Sequence, residues 1–331
     1  MTHGPCLKVD DLTLTYRVRQ GEVRAVQDVS FELDRGQSLG LVGESGCGKS
    51  SVATCLMRLL PDNARVVSGR VLLGNQNLLQ LSDEELRRFR WKRIAMVFQA
   101  AMNVLNPVYR VGAQIQEAIE AHDVTATSEE ARNKVSELFR KVGLDLRMME
   151  RYPHEFSGGM RQRAVIAMAL SCDPDVMIAD EPTTALDVIV QDRILRELKA
   201  IQQENQMAVI YISHDIAVVA EVSDYVAVMY AGRLVEKGPT VEVPNSPVHP
   251  YTAALTSAFP SVSGERRSLA ALAGEPPNLV NPPKGCPFHP RCPAATDICR
   301  SEFPPVVPKR DHWAACWHPL DDTFVPGGQA S

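Results

Sequence analysis

No stretch of this chain stays apolar for the roughly 18 residues that a membrane-spanning helix needs, so any role at a membrane has to come through a partner. Met1 to Asp10 lacks the apolar core of a secretory leader, and the expected location is cytosolic. No block of Lys and Arg stands out: 35 basic residues meet 40 acidic ones, for a net charge of −5. That balance speaks against nucleic acid as the main partner. The eight cysteines include no C-x2-C pair, so a zinc ribbon is a poor fit. What is present is an ordinary globular composition, 45% apolar and 23% charged, over 331 residues. That length has room for one large domain and a smaller one.

Gly43 to Ser50 reads G-E-S-G-C-G-K-S and fits G-x-x-x-x-G-K-[ST]. The short apolar run Ser38 to Val42 before it predicts a buried strand, and Ser51 to Leu60 after it predicts a helix. A glycine loop in that position turns backbone N–H groups towards anionic phosphates at a helix N-terminus. Lys49 would reach the terminal phosphates and the Ser50 hydroxyl would ligate Mg²⁺. A chance glycine turn would not need the strand–helix setting.

Leu7 to Val18 and Val26 to Leu33 alternate apolar and polar residues, which predicts strands in an antiparallel β layer at one edge of the fold. Arg70 to Leu73 and Ile94 to Phe98 predict further strands, with a capping box at Ser82 opening a charged helix between them. From 100 to 172 the pattern is helical: Val111 to Ala121, a second capping box at Thr127, and an apolar helix from Ser157-Gly158-Gly159 to about Leu170. Met148 to Phe156 reads as irregular. Strands return at Val176 to Ala179, Ala208 to Ile212, Tyr225 to Tyr230 and Arg233 to Glu236, with a helix from Val188 to Asn205. Strands alternating with helices predict a mostly parallel sheet with an inserted helical subdomain. After Gly238 prolines accumulate. Pro250 to Phe259 predicts one short helix, and 260 to 331 show so little periodicity that they must be disordered or stapled.

Two motifs carry further chemistry. Asp180-Glu181 ends an apolar strand, where an Asp can hold Mg²⁺ and a Glu can deprotonate the attacking water. Ser157-Gly158-Gly159 makes a second anion-accepting helix start. One nucleotide rarely needs two such ends, so the second is more useful to a nucleotide held by another subunit. A plain N-cap with flexible glycines is the competing explanation.

The order phosphate loop, Gln99, Ser157-Gly158-Gly159, Asp180-Glu181, Ala185-Leu186-Asp187, His214 resembles the ATP-binding cassette family over about residues 5 to 240. The resemblance implies a RecA-like α/β core of phosphate-loop NTPase type, with the antiparallel edge layer, the helical subdomain (100–172) and a C-terminal cysteine-containing extension. It implies domains at 1–240 and 241–331. It implies head-to-tail pairing with ATP at the interface. Gly43, Ser45, Gly46, Cys47, Gly48, Lys49, Ser50 and Ser51 would hold the nucleotide, with Tyr16 stacked on adenine. Ser50, Gln99 and Asp180 would hold Mg²⁺, Glu181 would be the general base and His214 would contact the γ-phosphate. Asp187 would lie in the loop that crosses the interface, and Ser157, Gly158 and Gly159 would complete the partner's site. Met160 departs from the commonest L-S-G-G-Q signature and puts contacts beyond the phosphate in doubt.

The run F-S-G-G-M-R-Q-R, the segment Pro247 to Thr252 and the tail opening Gly285-Cys286-Pro287-Phe288 resemble one of the two ATPase subunits of bacterial oligopeptide and dipeptide importers. This implies a sister ATPase in a heterodimer, two permease subunits and an external substrate-binding protein, with the chain on the cytoplasmic face of the membrane. Cys286, Cys292, Cys299 and Cys316 are spaced C-x5-C-x6-C-x16-C. Four thiolates suit an iron–sulfur cluster or zinc, with His289, His312 and His318 as substitute ligands. The resemblance implies a 4Fe–4S cluster; zinc and unligated thiols stay open. The competing function is a soluble cassette ATPase in DNA repair or on the ribosome. Such proteins usually carry two cassettes or a long coiled coil, and this chain has neither. A small-molecule kinase would leave Ser157 to Gly159 and His214 unexplained.

Overall fold

The computed structural model describes residues 4–99, 104–122, 127–184, 186–257, 274–309 and 311–320. In chain order it begins with β1 (Leu7–Val18), β2 (Gly21–Leu33), β3 (Ser38–Val42), α1 (Lys49–Leu56), β4 (Ala64–Leu73) and β5 (Gln76–Asn77). There follow α2 (Asp83–Phe89), β6 (Ile94–Val97), α3 (Val111–His122), α4 (Ser128–Lys141) and α5 (Gly158–Ala169). Next come β7 (Val176–Asp180), α6 (Val188–Asn205), β8 (Ala208–Ser213), α7 (Ile216–Val222), β9 (Tyr225–Tyr230) and β10 (Arg233–Pro239). The chain closes with α8 (Pro250–Ser257), α9 (Asp297–Ser301), β11 (Val306–Lys309) and β12 (His312–Ala315). Two compact units result: Met1–Leu7, Glu32–Gln37 and Leu72–Tyr211 in one, Lys8–Phe31, Ser38–Val71 and Ile212–Ser331 in the other.

The second unit holds the phosphate loop. All five residues of β3 are buried, as befits a strand covered on both faces. It pairs in parallel with β9, from Leu39 opposite Tyr225 to Val42 opposite Val228. β9 turns into β10 through Ala231 (φ 49°) and Gly232 (φ 83°), so both central residues are left-handed, as a type I′ hairpin requires. β2, β1 and β4 lie side by side in a separate sheet, the expected edge layer.

The tail is less irregular than its sequence implies. β12 pairs antiparallel with β10, Glu236 opposite Ala314, and β11 with β12. Docking is sealed by a buried carboxylate: Glu236 accepts the backbone N–H groups of Val248 and His249, both at 2.8 Å, and lies 2.6 Å from His312 Nε2. A fully hydrogen-bonded buried carboxylate avoids the penalty of an unpaired one. α8 forms where expected, although Phe259 lies outside the described residues.

In the first unit β6 and β7, each wholly buried, run in parallel with Ile94 opposite Val176 and Val97 opposite Ala179. Around them sit the expected helices. Both capping boxes form, Ser82 with Glu85 and Thr127 with Glu130, each contributing about 1 kcal/mol. Val111, Ile115 and Ile119 of α3 and Ala131, Val135, Leu138 and Phe139 of α4 are buried at helical spacing. Arg163 of α5 donates to Val142 O at 2.6 Å and pairs with Glu197 of α6. Met148 to Phe156 is not wholly irregular; it carries 3-10 turns at Leu146–Glu150 and Pro153–Glu155. Among the described residues no helix is long and apolar enough to cross a membrane.

Candidate functional site

β3 delivers the chain into Gly43, and the loop then needs three left-handed glycines: Gly43 (φ 153°), Gly46 (80°) and Gly48 (110°). Space demands two of them as well. A Cβ would sit 2.2 Å from Met229 O at Gly43 and 2.1 Å from Ala25 O at Gly48. α1 starts at Lys49, two residues earlier than its apolar pattern predicts, because Gly48 serves as the N-cap. That cap offers no side-chain bond and the first turn holds no acid. The opening amides and the positive end of the helix dipole are therefore left for an anion.

Lys49 is only 6% exposed. Its ammonium donates to the Gly43 carbonyl at 2.7 Å and the Glu44 carbonyl at 3.0 Å. Carbonyl oxygens hold the charge in place without neutralising it. Ser45, Gly46 and Ser50 are exposed, and Cys47 is buried. Burial pushes the Cys47 thiol pKa up, with Lys49 opposing the rise. Tyr16 on β1 is half-buried and its hydroxyl donates to Ser51 Oγ at 3.2 Å, so the aromatic lies beside α1. His214 ends up exposed after β8 in this unit, ahead of Asp215, which caps α7.

In the first unit the strand register explains a second pairing. Gln99 and Glu181 each lie two residues beyond the paired positions Val97 and Ala179. Parallel neighbours therefore bring them together at one sheet end, where Gln99 Nε2 donates to Glu181 Oε2 at 2.7 Å. Thr184 Oγ1 donates to the same oxygen at 3.0 Å. Asp180 is buried, and Glu181 takes a left-handed backbone (φ 46°), a strain of about 1 to 3 kcal/mol that clusters at functional sites. Ser157 caps α5 by accepting from Met160 N at 3.3 Å. A Cβ on Gly159 would meet Val190 Cγ1 at 2.7 Å, so glycine lets α5 pass α6. Asp187 caps α6 through Val190 N at 3.0 Å and precedes Val188 and Ile189, which are 80% and 82% exposed. Ala185 lies outside the described residues.

All four tail cysteines line one cavity, together with His249 and His289. Burial, reinforced by the neighbouring thiols, pushes Cys286 up to about 11 and Cys316 up to about 12. All eight cysteines of the chain are free of disulfides. Among the described residues no group of three or more His, Cys, Asp or Glu side chains is placed to hold a metal ion.

Sequence reasoning missed what lies behind the loop. Arg291, between Cys286 and Cys292, forms a two-pronged ion pair with Glu44, at 2.6 and 3.0 Å. The Tyr251 hydroxyl accepts the Glu44 backbone N–H at 2.9 Å. Tyr230, Tyr251 and Phe288 pack around them in tilted and edge-to-face pairs, with ring centroids 4.5 to 5.4 Å apart. A lone Arg 247 residues from its partner leaves no local signal.

Residues 26–184 match the family described as ABC transporter, and 235–299 match the oligopeptide/dipeptide transporter C-terminal region. The chain is 44% identical to the dipeptide transport ATP-binding protein DppD of Bacillus subtilis, over 94% of each chain. It is also 44% identical to the oligopeptide transport ATP-binding protein OppD of Salmonella typhimurium, over 96% of this chain and 94% of that one. Among solved structures, the dimeric post-hydrolysis state of the ATP-binding cassette MJ0796 bound to ADP and Pi superposes with a TM-score of 0.64. It is 27% identical and covers 71% of this chain and 98% of its own.

Proposed function

The chain belongs to the ABC transporter family, as an ATPase of its oligopeptide/dipeptide branch, and from that premise we propose that it hydrolyses ATP to power peptide import through membrane partners. The observation that carries the ATPase reading is the open start of α1, with Lys49 held on carbonyls beside it. Lys49 and the amides from Ser45 to Ser51 bind the phosphates, and Tyr16 supports the base. Ser50, Gln99 and Asp180 would hold Mg²⁺, which supplies charge neutralisation on the phosphates. Glu181 takes the proton of the attacking water, and His214 contacts the γ-phosphate. The short Gln99–Glu181 contact supports those roles, because it fixes the carboxylate's direction before substrate arrives.

Ser157, Gly158 and Gly159 serve a nucleotide on a second ATPase subunit, and Asp187 lies on the way across. The large exposed side chains of Val188 and Ile189 support a contact there. We place the functional boundary near 240, with 241–331 as the extension. The assembly is a heterodimer of ATPases below two permeases, at the cytoplasmic face of the membrane, fed by an external binding protein. Cys286, Cys292, Cys299 and Cys316 would hold a 4Fe–4S cluster, which supplies a covalent staple for the tail. The support for this is that all four thiols line one shared cavity.

The test is a pull-down of the tagged full chain, followed by uptake assays in vesicles. Two permeases should co-purify, and ATP-dependent uptake of a labelled di- or oligopeptide should stop with Glu181→Gln. Co-purification with ribosomes or DNA in place of permeases would sink the reading. Equal amounts of iron and sulfide in anaerobically purified protein would support the cluster, and their absence would remove it.

A further inference from the structure

Glu44 ties the phosphate loop to the cysteine-bearing extension. Glu44 is the second residue of the loop, and every group it offers is taken or aimed. Its carboxylate receives both prongs of Arg291, its N–H goes to the Tyr251 hydroxyl, and its carbonyl receives the Lys49 ammonium. The Arg291 side chain is 5% exposed, and its guanidinium also donates to Tyr230 Oη at 3.3 Å. Arg291 stands one residue before Cys292, on the 3-10 turn His289–Arg291. Tyr251 opens α8 and is fully buried. Two separate segments after the cassette core therefore grip one loop residue, from two sides.

We propose that Arg291 and Tyr251 are positioning residues for nucleotide binding: together they hold the Glu44 peptide that seats Lys49 and neutralise a carboxylate that would otherwise repel the triphosphate. This rests on the reading of Gly43 to Ser50 as the phosphate site. Two physical effects make it up. A bidentate guanidinium–carboxylate pair is planar and directional, so it fixes Glu44 more tightly than a point charge could. A bare carboxylate within the loop would oppose an anionic ligand over several ångströms, because a half-buried charge is poorly screened. Glu44 therefore carries a negative charge into an anion site, and the extension cancels it.

The experiment is equilibrium binding of a fluorescent ATP analogue to the full chain and to Arg291→Met, Arg291→Lys, Tyr251→Phe, Glu44→Gln and the Glu44→Gln/Arg291→Met double variant. Arg291→Met should weaken binding about tenfold and Tyr251→Phe a few-fold. Arg291→Lys should fall between wild type and Arg291→Met, since it restores charge but not the fork. The double variant should bind tighter than Arg291→Met alone, because the offending carboxylate is gone. A merely structural Arg291 would leave the double variant as weak as the single, and that result overturns the proposal. So would binding by both Arg291→Met and Tyr251→Phe within twofold of wild type. Thermal unfolding of each variant identifies any that fails to fold, and Tyr251→Phe, which loses one hydroxyl, keeps the test alive if Arg291→Met does. Lys49→Ala separates the two readings: if it binds as wild type does, the phosphate-site assignment itself fails.

Discussion

α1 and α5 both have glycine at the edge of their first turn, yet they are finished differently. At α1 the N-cap is Gly48, left-handed and without a side-chain bond, and the next residue is a buried lysine. At α5 the N-cap is Ser157, whose hydroxyl already accepts Met160 N–H, and the following pair is Gly158-Gly159 with no lysine. The first end presents open amides and a fixed positive charge. The second has its capping hydroxyl committed, and its nearest cation, Arg161, is tied to the Phe156 carbonyl at 3.2 Å, so its pull on an anion is weaker. A third helix start shows another solution: His249 Nδ1 accepts Tyr251 N–H at 3.0 Å and caps α8 with an imidazole. How a helix start is capped decides whether it receives a ligand or only holds itself together.

The largest expected effect breaks the first end. Lys49→Ala should weaken ATP binding by about 100-fold or more, since a charge-assisted contact to phosphate is lost from a buried position; equilibrium titration checks it. The α8 cap gives the next. Burial depresses the His249 pKa to about 4, with Glu236 partly opposing that fall. A histidine depressed in the folded state contributes stability above its unfolded value of about 6.5, and that stability is lost as pH falls towards 4. Wild type should therefore lose up to about 3 kcal/mol over that window relative to His249→Asn, read by denaturant unfolding at each pH. The smallest effect concerns α5. Ser157→Ala should lower stability by about 1 kcal/mol, leave ATP binding by the chain alone unchanged, and slow turnover of the assembled complex about tenfold. Steady-state rates set against binding constants separate those effects. If Ser157→Ala weakened the chain's own binding as much as Lys49→Ala does, the contrast between the two helix starts would collapse.

Much of the site was legible because it rests on local rules. Gly43 and Gly48 are readable as glycines that a backbone reversal needs, and Ser82 and Thr127 as caps whose acids follow three residues later. The role of Glu181 is readable from an acid pair closing an apolar strand, whereas those of Gln99 and Asp187 rest on family resemblance; the β6–β7 register supplies a physical reason for the Gln99–Glu181 contact. What stayed hidden is non-local or short. α7 has seven residues, too few for a helical period to stand out. β11 and β12 have four each, and their place is set by β10, some 75 residues earlier, through Glu236 and His312. The Glu44–Arg291 pair spans 247 residues and has no composition cue.

Glu181, held by Gln99 and Thr184, is the proposed base of the ATPase. The most direct measurement of that role is single-turnover hydrolysis by the assembled complex carrying Glu181→Gln in this chain, with the nucleotide retained at this chain's own site identified afterwards. Loss of a positioned general base should slow that step by about 10² to 10⁴, leaving intact ATP bound there with unchanged affinity. ADP at that site, formed at the wild-type rate, would contradict the assignment.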